Sequence, residues 1–214
     1  MRIFRTLPPA LILALLLSPS SQAVRNPRLQ TLPQTADPPF VFEGPLPASR
    51  PVSVGWFAAA AFIGDARLGE LLAAGLFQPG LDLTQVGLNV RDVRSGSVFY
   101  RDGQRATLQQ MLEGSGCGKV FLMLGFNEAS WMEEEEFYTE YAALIDDLRK
   151  ILPGIQIYVQ TLIPVTVSRA AARTPGNALL ASRSELLTRL AQEKKVYLVA
   201  VGAGFTEANG ALRS

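Results

Sequence analysis

The sequence predicts an α/β domain with a parallel sheet covered by helices on both faces. Apolar runs of strand length alternate with segments of helical periodicity, and the strand runs number about five. The runs are nearly continuous in Val, Ile, Leu, Phe and Ala rather than alternating, as strands buried on both faces require. Right-handed crossovers between such strands build a doubly wound sheet. In such sheets chemistry sits at the carboxyl ends of the strands.

The elements follow in order. Ala58 to Ile63 is a strand that ends at Gly64. Arg67 to Gly75 reads as a helix with Leu68, Leu71 and Leu72 on one face and Gly75 as its stop. Leu83 to Gly87 is a weak strand, and Thr107 to Leu112 a short helix with Thr107 as N-cap. Lys119 to Leu124 is a strong strand. The clearest helix opens on Glu133, Glu134, Glu135 and Glu136, where negative charge suits the helix dipole. Its apolar face is Phe137, Tyr141, Leu144, Ile145 and Leu148; Arg149 and Lys150 close it, and Pro153-Gly154 stops it. Tyr138 and Tyr141 both read as packing residues on this helix. Ile155 to Leu162 is a strand, Asn177 to Gln192 a helix with Leu179, Leu186, Leu187 and Leu190 inward, and Val196 to Val201 the last strand.

Composition sets the class. The 214 residues are 48% hydrophobic and 18% charged, a globular balance. Twenty basic against nineteen acidic residues give a net charge of +1, so no nucleic-acid partner is expected. Histidine is absent, which removes the usual neutral-pH proton shuttle and the commonest metal ligand. Cys117 is alone among the cysteines, so neither an intrachain disulfide nor a CxxC metal site is expected. It reads as a small residue at a strand entrance. No metal and no cofactor is expected.

Three regions are expected along the chain. Residues 1–23 read as a secretory signal: Arg2 and Arg5 precede an apolar run from Ala10 to Leu17, and Ser21-Gln22-Ala23 suits cleavage. The other reading is an uncleaved leader, the one route by which this chain would engage a membrane. Residues 24–52 form a proline-rich arm, with Phe40, Val41 and Phe42 able to dock on the domain. Residues 53–214 form the domain.

Three strand ends carry the candidate chemistry: Phe62-Ile63-Gly64-Asp65-Ala66-Arg67, Met123-Leu124-Gly125-Phe126-Asn127-Glu128, and Gln160-Thr161-Leu162-Ile163-Pro164-Val165. Together, and in this order, they resemble the SGNH/GDSL hydrolases, an esterase and lipase family, and most of all its bacterial branch. The resemblance runs from about Val54 to the end of the sequence. It implies a flavodoxin-like three-layer α/β/α sandwich with a five-stranded parallel sheet. It also implies hydrolysis of acyl or acetyl esters. The family's nucleophilic serine falls on Ala66. Its oxyanion donors fall on the Gly87 backbone and the Asn127 side chain. Asp65, Arg67, Glu128 and Trp131 are expected to line the site.

The resemblance also implies a conflict. The family takes its histidine and aspartate from an Asp-x-x-His block after the last strand, and the sequence reaches Ser214 at about the place where that block would begin. The fold is therefore expected in C-terminally truncated form, with apolar sheet surface exposed unless the arm or another chain covers it. Self-association is the expected consequence. Ala66 offers no lone pair, and no imidazole is present to act as base. Three readings follow: a non-catalytic, exported protein that binds an acyl-ester, acetylated-sugar or cell-envelope ligand; a damaged or truncated ester hydrolase; and a cell-envelope scaffold.

Other residues are weighed alongside. Asp65 and Glu128 as a carboxylate pair for glycoside cleavage are less expected than structural roles for both. Glu133 to Glu136 spread around their helix and do not converge on a cation. Arg67 is expected to bind an anionic group or to lie on the helix surface. Trp131 lines the cleft or packs its loop. Asn89, Arg91 and Arg94 are expected to border the cleft.

Overall fold

Five apolar runs become five parallel strands because each can be buried on both faces. In a computed structural model, residues 40–47, 52–166 and 175–202 are described. The strands are β1 (Ala60–Gly64), β2 (Leu81–Thr84), β5 (Lys119–Met123), β6 (Gln156–Gln160) and β7 (Tyr197–Val199). They lie in the order β2-β1-β5-β6-β7, all parallel. This is the flavodoxin-like order, with its topological switch between β1 and β5. A short antiparallel hairpin, β3 (Phe99–Arg101) and β4 (Gln104–Ala106), stands apart from the sheet. The helices are α1 (Ala66–Ala73), α2 (Val90–Ser95), α3 (Leu108–Leu112), α4 (Glu134–Ile151) and α5 (Asn177–Lys194).

The two sheet faces differ in chemistry. On one face, Ala61, Ile63, Val120, Leu122, Ile157, Val159 and Leu198 meet the buried faces of α2, α3, α4 and α5. On the other, α1 lays Leu68 and Leu72 over β1. There the strand register aligns Phe62, Phe121, Tyr158 and Tyr197 in one row. Their rings stack at centroid distances of 4.6, 4.5 and 4.9 Å. Trp56 and Phe57, in a 3-10 turn just before β1, pack edge-on and tilted against this row. The expected exposure of the sheet is therefore not seen: Phe62, Phe121 and Tyr158 are all buried.

Part of the arm docks, as its aromatic residues suggest. Phe40 meets Tyr197 edge-on at 5.4 Å, and Phe42 packs against the main core. Pro45 pairs with Leu198 in parallel fashion, and the Leu46 N–H donates to the Leu198 carbonyl at 2.8 Å. The free edge of β7 is thereby covered by a proline-bearing segment, a common protection of sheet edges. Residues 1–23 and most of the arm lie outside the described residues, as does the chain from 203 on.

Several sequence expectations shift. The second strand is Leu81–Thr84, not Leu83 to Gly87. Asp82 Oδ1 accepts from the Thr84 N–H and hydroxyl, and Gly87 adopts φ +78, so Gln85 to Gly87 turn away. On α5, Leu180 and Arg183 are fully buried, whereas Leu179 and Leu186 are only half-buried. Asn89 caps α2 by accepting from Asp92 N–H. Arg91 pairs with Glu136, and Arg94 reaches Glu140 at 2.6 Å and Asp147 at 3.1 Å. The two arginines thus clamp α2 to α4. Thr107 and Gln110 form the capping box of α3. Cys117 is buried just before β5.

Phe121 stands inside the stacked row, with a ring on each side. Replacing it with Ala should lower the unfolding free energy by about 3–5 kcal/mol, the cost of a cored-out phenylalanine. Urea unfolding of Phe121→Ala against wild type measures this, and a loss under about 1 kcal/mol would count against a continuous aromatic layer.

Candidate site at the carboxyl end of the sheet

Three turns meet at the switch point, and each is shaped by its own sequence. The first follows β1. Gly64 must be glycine there: a Cβ would sit 2.7 Å from Leu68 Cδ2 and 2.8 Å from the Met123 carbonyl oxygen. Asp65 then caps α1, its carboxylate accepting from the Arg67 N–H at 3.0 Å. Ala66 is the first helical residue and presents only a methyl group.

Arg67 reaches back across the site. Its guanidinium donates to the Asp65 carboxylate at 3.2 Å and to the Ile163 carbonyl at 3.1 Å. Its Cζ lies 3.8 Å from the centre of the Phe126 ring. One side chain therefore ties together the turns after β1, β5 and β6. Arg67 is neither a free anion receptor nor a plain surface residue. Asp65 is buried by this pairing.

The second turn follows β5. Gly125 has φ +125, a backbone state that a side chain resists. It is followed by Phe126, Asn127 and Glu128. Asn127 Nδ2 donates to the Leu88 carbonyl at 2.8 Å. One of its two amide hydrogens is thus committed. Trp131 Nε1 donates to the Asn127 carbonyl at 2.8 Å, and the Arg91 guanidinium stands 5.2 Å from the Trp131 ring. Trp131 is half-exposed, so it packs its loop and also faces solvent.

The third turn follows β2 and carries Gly87, exposed at its tip. It is stitched to the second turn twice, through Asn127 to Leu88 and through Glu128. The Val90 N–H donates to Glu128 Oε1 at 2.9 Å. Glu128 is fully buried, so it props the turns from beneath and does not line an open surface. Burial pushes its carboxyl above the usual carboxylate range against the pull of the Val90, Glu128 and Gly125 N–H groups, with a smaller upward push from the charge of Asp65.

The structure thus joins all the turns on which sequence reasoning placed the site. It brings Asp65, Ala66 and Arg67 onto one turn, Asn127 and Glu128 onto the next, and Gly87 onto the third. Two contributors were not anticipated: the Phe126 ring, which carries Arg67, and the Ile163 carbonyl. Arg183 of α5 is a third; it donates to the carbonyls of Ala129 and Met132 and so holds the stem of the second turn. Among the described residues no group of three His, Cys, Asp or Glu side chains converges on a metal-binding point. The Glu133–Glu136 run is exposed, with Glu134 accepting from Ser182 and Glu136 paired to Arg91.

The model of the GDSL-like lipase/acylhydrolase family matches residues 52–214, more than half of the chain. The chain belongs to this family. Among solved structures, a Streptococcus pneumonia protein provisionally named a platelet activating factor shares the fold. Its TM-score is 0.60, at 19% identity over 73% of this chain and 72% of that one. A Bacteroides fragilis protein provisionally named an acylhydrolase matches at TM-score 0.50 and 12% identity, over 72% of this chain and 73% of that one. At these identities the likeness shows the fold alone. No curated protein matches the chain significantly. The three-layer fold expected from the sequence is the one shared with these solved structures.

Because Arg67 neutralises Asp65, removing one partner should cost more than removing both. Arg67→Met should destabilise the protein by about 3 kcal/mol, since it leaves a buried carboxylate unpaired. Adding Asp65→Asn should recover part of that loss. Thermal or urea unfolding of the two single variants and the double variant tests the coupling, and strictly additive losses would contradict it.

Proposed function

We propose that this GDSL-family protein binds a carbonyl-bearing ligand at the joined turns and does not hydrolyse it. Acyl esters, acetylated sugars and related cell-envelope components form the ligand class. The observation that carries the reading is Ala66 at the head of α1, where the family resemblance puts the attacking serine. A methyl group has no lone pair to offer a carbonyl carbon. The 214 residues also contain no histidine to act as base.

What supports binding is the donor set. The remaining amide hydrogen of Asn127, the Gly87 N–H and the Ala66 N–H are the groups that would polarise a carbonyl oxygen. Such donors alone, without a nucleophile and base, are worth roughly 10³ over water, far below a working esterase. The basic and apolar leader in residues 1–23 supports action outside the cytoplasm.

Wild-type protein and Ala66→Ser should both cleave p-nitrophenyl acetate and butyrate no faster than buffer. Hydrolysis by the wild type would sink the reading, and hydrolysis by Ala66→Ser would show that the chain supplies a base of another kind. An acetylated xylo-oligosaccharide titrated by NMR should perturb the Asn127 amide signals. Asn127→Ala should weaken that binding about tenfold, the value of one hydrogen bond with its partner left unpaired. Unchanged affinity would place the ligand elsewhere.

A further inference from the structure

Trp131 is fixed from several sides, yet 51% of it stays exposed to solvent. Its backbone N–H donates to the Glu128 carbonyl at 3.2 Å, and its indole Nε1–H donates to the Asn127 carbonyl at 2.8 Å. The Arg91 guanidinium lies over the ring, 5.2 Å from its centre, and is itself paired with Glu136. α2 supplies the arginine and α4 the glutamate, so two helices and the turn after β5 hold one ring. The other tryptophan, Trp56, spends its ring on the aromatic row of the core. Trp131 is held as firmly but leaves apolar surface facing water.

We propose that Trp131, braced by Arg91 and Glu136, is a stacking platform for an uncharged sugar ring beside the carbonyl donors. The proposal rests on the binding reading above and narrows its ligand class to carbohydrate.

The surroundings select that class. A pyranose presents C–H groups on its faces and hydroxyls around its rim. The exposed indole suits such a face, because it is flat, apolar and polarisable. The rim needs both donors and acceptors, and the partly exposed Arg91 and Glu136 supply one of each next to the ring. Their charges cancel, so the platform has no excess charge with which to prefer an anionic ligand. A flexible acyl chain gains from an enclosing apolar pocket, which a single half-exposed ring does not provide.

The platform and the donors also share one support. The indole edge is hydrogen-bonded to Asn127 itself, the residue whose side chain is assigned to the carbonyl. The Asn127 amide is in turn bonded to Leu88, two residues before Val90 and α2. A rigid ring next to a rigid donor binds at little cost in ordering. A sugar ring with a pendant acetyl group uses both at once.

NMR titration of the full chain separates the two contacts. The sequence holds two tryptophans, and the indole N–H signal missing from Trp131→Phe is that of Trp131. Xylotriose without acetyl groups should shift that signal, and ethyl butyrate should shift the Asn127 side-chain amide without moving it. Trp131→Ala should bind xylotriose and its acetylated form about tenfold more weakly, and Trp131→Phe, which keeps a flat ring, should stay within about threefold of wild type. Unchanged sugar affinity in Trp131→Ala, or a loss in Trp131→Phe equal to that in Trp131→Ala, overturns the platform. Trp131→Ala should still answer ethyl butyrate at Asn127; loss of that response would make Trp131 a structural prop and overturn the platform too. A response of Asn127 to ethyl butyrate with no binding of either sugar overturns the platform and keeps the carbonyl site. Sugar binding that needs Trp131 but is indifferent to Asn127→Ala keeps the platform and overturns the carbonyl site.

Discussion

The carboxyl end of the sheet depends on one ion pair, the buried Asp65 with the half-buried Arg67. Asp65 alone would be a carboxylate sealed inside the protein, and Arg67 makes that placement tolerable. The guanidinium then does what an ammonium group could not. Its planar face lies against Phe126 while its edge reaches both Asp65 and the Ile163 carbonyl. Three strand ends are fixed to one side chain, and that side chain is the immediate neighbour of Ala66. Whatever meets the methyl group at position 66 meets turns already locked in register.

The sheet itself supplies the rigidity behind that lock. Parallel register places Phe62, Phe121, Tyr158 and Tyr197 in a stacked row on one face. The opposite face is aliphatic and meets the helices α2 to α5. An aromatic row fixes strand offset more sharply than aliphatic contacts, because stacked rings lose contact when displaced. β1 and β5 carry the first two rings of this row and also end in the two turns that flank the switch point. The packing that defines the core and the geometry that defines the site are thus two ends of the same strands.

The fold was legible because strands buried on both faces leave a plain signature, and the long α4 shows its periodicity, charge bias and stop. The order of the turns followed from the fold, and Asp65, Ala66 and Asn127 stood out in short motifs. What was not legible depended on tertiary partners. α2 is six residues long, with only Val90 and Val93 buried, too short for periodicity to reveal. The β3–β4 hairpin did leave a mark, the Asp102-Gly103 pair, whose positive φ values of 52 and 78 suit a tight hairpin turn. The clamping contacts of Arg91 and Arg94 were hidden because only the folded chain shows Glu136, Glu140 and Asp147 opposite them. Glu128 and Arg183 were hidden for the same reason: charged residues on loops and helices read as solvated until burial is known. Tyr141 read correctly as packing, but periodicity says nothing of where its hydroxyl points.

The side chain at position 66 and the geometry of the surrounding turn are physically independent. Asp65 caps α1 through its own carboxylate, and Arg67 closes the turn through its guanidinium; neither contact uses the side chain between them. Alanine is a strong helix former and fits the first turn of α1 without strain. The scaffold therefore holds its donors in place whether or not a nucleophile stands among them. Catalysis needs groups that bind the transition state better than the ground state, whereas recognition needs only that a carbonyl meet donors already in position. Tight coupling of the Gly87 and Asn127 turns through Leu88, Val90 and Glu128 serves the second requirement as fully as the first.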